Sequence, residues 1–177
     1  SCTSTFDVKR DEITLLTSSN YPHSLGLMYS AITDYLGFNI NEGEYKVMAL
    51  ASYGTGQLND LFADVVDDKK YDINIDSFDF YRSITRSYGE NFVDKFGLAF
   101  NKLDVFPEIG EIEFKRAAEI AYSAQNFLHE KVGDLFDKLY KNTGQNNFSL
   151  SGGVALNSRL IMELSKKNYI DNLFVPP

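Results

Sequence analysis

Asn147–Asn157 reads NFSLSGGVALN, and the fold of the chain turns on what this stretch becomes. Phe148–Leu150 is a short strand candidate. Ser151, Gly152 and Gly153 follow directly, and Val154–Leu164 then reads as a helix. A strand, a glycine turn and a helix start in a row have two uses. Two glycines let a backbone pass close to a ligand and take angles that a side chain forbids. The helix start after them offers unpaired N–H groups and the positive end of a dipole. Asn157, read as one turn into that helix, is placed to offer its amide to a ribose or phosphate oxygen. The plainer use is an ordinary strand-to-helix turn with glycines for packing, since short glycine motifs also arise by chance.

Upstream of this stretch, Glu111–Asn142 is the longest helical segment. Phe114, Ala117, Ala118, Ala121, Ala124, Leu128, Val132, Leu135, Phe136 and Leu139 form an apolar stripe at helical spacing. The alanines in its first half permit close backbone approach. Gln125 and His129 lie one turn apart on this helix. A lone histidine without a second ligand reads as a surface or packing group before a metal ligand. Downstream, Asn172–Val175 is a last strand, and the order strand, helix, strand implies parallel pairing by a right-handed crossover.

The first half of the chain supplies the rest. Thr3–Val8 and Ile13–Thr17, joined through Lys9–Asp11, read as a hairpin. His23–Phe38 reads as a helix with Leu25, Met28, Tyr29, Ile32, Tyr35 and Leu36 on one face and Gly37 as its stop. His23 and Ser24 stand at its start, the histidine being either a loop or capping residue or a ligand contact. Asn41 is expected to cap a helix over Glu42–Ala51. That helix carries Glu44 and Lys46, which are two residues apart and so do not share a face. Leu58–Val66 and Glu90–Phe96 are short helices. Lys69–Tyr81 alternates like one or two strands, Phe106–Pro107 falls in a loop, and residues 67–110 together read as an insertion. The expected architecture is α/β, with the hairpin, the Phe148 strand and the Leu173 strand in one mixed sheet covered by helices.

The 177 residues fit a single domain, and 44% hydrophobic content can fill a core. A net charge of −8, dispersed along the chain, argues against a grip on nucleic-acid backbones. Cys2 is the one cysteine, so no intrachain disulfide forms, which suits a reducing cytoplasm. No apolar run reaches membrane-spanning length, and no signal peptide is visible. Ser-His-Asp, CxxC, HExxH and GxxxxGK[ST] patterns are missing from the sequence. The chain opens on Ser1 and stops at Pro176–Pro177, straight after a strand-like run, so it is expected to be a segment cut from a longer protein.

Four stretches taken together carry a resemblance. PHSLGLMYSAITDYLGF (Pro22–Phe38), GEYKVMALASYG (Gly43–Gly54), SLSGGVALNSRL (Ser149–Leu160) and LFVPP (Leu173–Pro177) resemble, in order and spacing, the O-carbamoyltransferases of nodulation-factor and antibiotic biosynthesis. Ala49 stands where the family commonly has Gly, and Ser52 where it commonly has Pro. The resemblance implies an actin-like ATPase fold (ribonuclease H-like), related to the transferases that make threonylcarbamoyl-adenosine in tRNA. Residues 1–177 would form most of its second lobe, incomplete because excised. It further implies a second domain of the YrdC type that joins carbamoyl phosphate and ATP into carbamoyl-adenylate. The actin-like domain then passes the carbamoyl group to a substrate hydroxyl, with a divalent metal held by histidines and an aspartate.

Carried over residue by residue, the resemblance gives Lys46 and His23 the catalytic roles. It gives nucleotide or phosphate binding to Ser151, Gly152, Gly153, Asn157 and Glu44. The family's HxxxH, DGxGE and GDxG motifs are not in these residues, so no metal ligand is assigned and the isolated chain is expected to be inactive and to bind no cofactor. Asn157 and Lys46 are expected to face one cleft, so that replacing either affects ligand use and leaves folding nearly unchanged. The partners implied for the full-length protein are carbamoyl phosphate and a small hydroxyl acceptor, with no nucleic acid and no membrane, in the cytoplasm. The open edge of an incomplete sheet implies self-association of the segment. Two alternatives stand beside this reading. One is a tRNA threonylcarbamoyl transferase relative, which the GEYKVM and PHSLG motifs and the acidic charge count against. The other is a non-catalytic nucleotide-binding or interaction domain of the same fold.

Overall fold

The computed structural model describes residues 1–67, 72–100 and 110–176. The long alanine-bearing helix is the axis of the domain. This helix, α5 (Glu111–Thr143), runs for 33 residues, roughly 50 Å at 1.5 Å per residue. Ala117, Ala118, Ala121 and Ala124 are buried on its inner face, as are Phe127, Leu128, Val132 and Phe136. The small side chains matter because another backbone lies against them. A Cβ added to Gly54 would come within 2.5 Å of the Ala118 carbonyl oxygen. Gly144, left-handed at φ 66, ends the helix.

Helix α1 (Leu25–Tyr35) is capped by Ser24, whose hydroxyl accepts from the Leu27 N–H, so His23 lies outside it. Leu36 and the left-handed Gly37 close it, as the sequence indicated. Helix α2 (Glu44–Leu50) starts two residues later than expected. Asn41 does not cap it with its side chain. Asn41 is left-handed at φ 67, and its N–H donates to the Glu44 carboxylate. Helices α3 (Asn59–Val66) and α4 (Glu90–Phe96) complete the first half. Phe62, Phe92 and Phe96 interlock with Tyr35, whose ring meets Phe92 edge-on at 4.8 Å between centroids.

The alternating run near Ile73 does not form the expected strands. Among the described residues it makes isolated bridges, Asp67 to Ile73 and Phe78 to Tyr88, on either side of a tight turn at Ile75–Ser77. Ile73 and Phe78 are fully buried against the main core, which explains the alternation without a strand. Lys69, Tyr71, Phe106 and Pro107 lie outside the described residues.

The hairpin forms as β1 (Thr3–Lys9) and β2 (Glu12–Ser19), antiparallel, with a register shift between Thr5 and Phe6. Strands β3 (Asn147–Ser149) and β4 (Asn172–Phe174) pair in parallel, Phe148 opposite Leu173. Between them runs α6 (Ser158–Leu164), so the predicted strand–helix–strand unit is present. The single mixed sheet is not. The described residues contain two separate two-stranded sheets. Consecutive residues of β1 and of Asn147–Gly153 line one open groove of about 940 Å³, so the two sheets border a common space instead of bonding to each other. The mixed α/β class holds.

Candidate functional site

The decisive turn does not become one continuous helix. Gly153–Leu156 forms a single 3₁₀ turn, Asn157 is extended at φ −76 and ψ 95, and α6 begins anew at Ser158. The break has a local cause. The Asn157 Oδ1 accepts from the Leu160 N–H at 3.0 Å, making Asn157 the N-cap of α6. Gly152 sits at φ 95 and ψ 177, a conformation open essentially to glycine alone. A Cβ added to Gly152 or Gly153 would meet nothing within 4 Å.

This turn lines the groove. Ser151, Gly152 and Gly153 are exposed along it, and Ser24–Gly26 at the start of α1 line it as well. The N–H groups of Gly152, Gly153 and Val154 donate to no acceptor among the described residues. Three successive unpaired backbone donors at an exposed turn suit an anion. Apolar side chains of α5, among them Val132 and Phe136, also line the groove.

Asn157 behaves otherwise. It is 6% exposed and does not line the groove. Its amide forms a reciprocal pair with Gln125 of α5: Gln125 Nε2 donates to Asn157 Oδ1 and Asn157 Nδ2 donates to Gln125 Oε1, both at 3.0 Å. The Tyr29 hydroxyl of α1 donates to the same Gln125 Oε1 at 2.8 Å, and Gln125 Nε2 lies 2.6 Å from His129 Nε2. Burial holds the Tyr29 phenol well above its ordinary pKa, so it remains a donor. Asn157 thus supports the turn from behind. Tyr29 was legible only as part of the apolar face of α1, and the signal for Gln125 was a polar residue within an alanine stripe.

His23, Glu44 and Lys46 are also absent from the groove walls. His23 Nδ1 donates to the Ile73 carbonyl at 3.1 Å, with Asp72 Oδ1 at 3.9 Å. Glu44 Oε1 accepts from the Ser30 hydroxyl and the Asn41 N–H, tying α2 to α1. Lys46 Nζ lies 5.4 Å from the centre of the Phe38 ring. The expected convergence of Lys46 and Asn157 on one groove is therefore not observed, because Asn157 turns inward to α5. What comes together is Ser151, Gly152 and Gly153 with the α1 start.

Among the described residues, no three His, Cys, Asp or Glu side chains converge where a metal ion could be held. No helix there is long and apolar enough to cross a membrane.

Comparison with known proteins adds a frame to this geometry. Residues 2–177 match a family model described as Carbamoyltransferase N-terminus. An uncharacterized protein of Synechocystis sp. is 34% identical over 99% of this chain. An uncharacterized protein of Methanocaldococcus jannaschii is 28% identical over 95% of it. The nodulation protein NolNO of Sinorhizobium fredii is 29% identical over 87% of it. The chain spans 28%, 30% and 20% of the lengths of these three relatives.

Proposed function

The chain belongs to the carbamoyltransferase N-terminal family, and from that premise we propose that its turn at Ser151–Gly153 binds the phosphate of an adenylate in a protein that carbamoylates hydroxyl groups. Carbamoyl-adenylate is a mixed anhydride, and its AMP portion is a good leaving group once its phosphate is held. The observation that carries this reading is the run of unpaired N–H groups at Gly152, Gly153 and Val154, three residues that line the groove. Backbone donors fixed before the anion arrives stabilise developing charge without reorganising. Their direction is set by the Gly152 conformation and by the Asn157–Gln125 pair behind the turn. Val132 and Phe136 of α5 give part of the groove lining an apolar character.

The acceptor is a small molecule with a hydroxyl group, and carbamoyl phosphate with ATP supplies the activated carbamoyl group. We place the protein in the cytoplasm. The divalent metal of this reading has no ligand set among the described residues, and no step is routed through one. Lys46 and His23 stay in the proposal as catalytic groups of the full-length protein, away from the groove walls of this chain. An actin-like lobe is the architecture in which these elements serve that chemistry.

Calorimetric titration of the full-length protein with ATP tests the reading. Gly153→Val adds a branched side chain at the exposed turn, where an added Cβ meets nothing within 4 Å. ATP affinity is expected to fall at least about tenfold, equivalent to about 1.4 kcal/mol, with thermal stability close to wild type. Unchanged ATP affinity in Gly153→Val would exclude the turn as the phosphate site.

A further inference from the structure

The side chains of Asn157, Gln125 and His129 are oriented by one backbone group. The Leu160 N–H can only donate, so the atom of Asn157 that faces it is the carbonyl Oδ1. That places Asn157 Nδ2 against Gln125, which must present Oε1 to it, and Oε1 also accepts from Tyr29. Gln125 Nε2 is left with one proton for Asn157 Oδ1 and one for His129. His129 Nε2 must then accept, so the ring is neutral with its proton on Nδ1. Every donor and acceptor from Leu160 to His129 is thereby assigned, with no freedom to reverse any one member alone.

We propose that Gln125 is a positioning residue for the glycine turn and that His129 is its proton-sensitive lock. Protonation of His129 sets an N–H against the Gln125 N–H, and relief requires the Gln125 amide to reverse or the imidazole to swing away. Reversal carries through to Asn157 and removes the cap of α6, so the turn before it loosens. This inference rests on the phosphate-binding reading of the turn for its functional meaning, although the coupling itself concerns this chain alone.

The surroundings of His129 set when this happens. It is half-buried in a pocket between α5 and α6. From α6 and just beyond it come Arg159, Glu163, Lys166 and Lys167; from α5 come Glu130 and Asp134. Tyr29 reaches the network from α1. Lys166 is paired with Glu163 at 2.6 Å, and Lys167 with Asp137 at 2.7 Å. Burial pushes the His129 pKa below the ordinary imidazole value of 6.5; Glu163 opposes this, and Arg159 and Lys166 add to it. The lock is therefore closed at neutral pH and opens below the usual imidazole range.

Hydrogen–deuterium exchange of the full-length protein, without ligand and corrected for the intrinsic pH dependence, tests the coupling. Between pH of about 7.5 and about 5, exchange at Ala155–Leu160 is expected to accelerate at least roughly tenfold, while the α5 core at Ala117–Leu128 stays protected. His129→Gln keeps an acceptor facing Gln125 but cannot titrate, so it should hold the turn protected at both pH values. Gln125→Leu should expose the turn at both. Protection at Ala155–Leu160 that ignores pH in the wild type, or a loss that persists in His129→Gln, overturns the inference. If the coupling holds but added ATP leaves Gly152–Val154 unprotected at neutral pH, the phosphate-binding reading fails and the positioning role of Gln125 stands.

Discussion

Replacing Asn157 by alanine should destabilise the protein by about 3 kcal/mol. The first contribution is the cap: losing the Oδ1 acceptor for the Leu160 N–H costs about 1 kcal/mol. The second is the reciprocal pair with Gln125, two buried hydrogen bonds at about 1 kcal/mol each. Gln125 limits the damage, because its Oε1 still accepts from Tyr29 and its Nε2 still faces His129. For a chain of this size, 3 kcal/mol corresponds to a melting temperature lowered by roughly 6–12 °C. Asn157→Ser retains a capping oxygen but not the amide pair, so it should lose about 2 kcal/mol. Urea unfolding followed by circular dichroism, with thermal melts alongside, measures both. A loss below about 1 kcal/mol for Asn157→Ala, or no difference between the serine and alanine variants, would refute the reasoning. Had Asn157 faced the groove, as its place after two glycines suggested, its removal would have left folding nearly unchanged. Its burial at 6% exposure reverses that expectation.

Gly152→Ala should cost about 1–3 kcal/mol through backbone strain alone, since the added methyl meets nothing. Gly153→Ala, with neither a left-handed φ nor a clash, should stay within about 0.5 kcal/mol in the same unfolding assay. Glu119 accepts from the Thr55 hydroxyl and from the N–H groups of Thr55, Gly56 and Gln57 at 2.8–3.0 Å. Burial pulls its pKa upward, but these donors outweigh burial and leave it below the ordinary carboxylate value of 4.5. Its contribution is therefore complete above 4.5 and disappears as pH falls through the lower folded value. Glu119→Gln should cost about 1–2 kcal/mol and speed hydrogen exchange at Thr55–Gln57, with much of the difference from wild type vanishing in acid.

Periodicity settled several elements from sequence alone. The apolar faces of α1 and α5, the hairpin and the stop at Gly37 follow from spacings of 3.6 and 2 residues and from local turn chemistry, and the parallel pairing of β3 with β4 follows from the order strand, helix, strand. The glycine turn was legible too, because its backbone angles are a local demand. Tertiary structure decided which way the polar groups face. Asn157 is bound to a glutamine 32 positions away, and Glu119 to a loop more than 60 positions away. Neither partner changes the local pattern by which a helix or strand is recognised. The alternation near Ile73 misled for the same reason: burial in a shared core produces it as well as a strand does. Two short sheets formed where one was expected because alternation fixes which face of a strand is buried. Which edges meet depends on how α5 and α6 hold those strands in space.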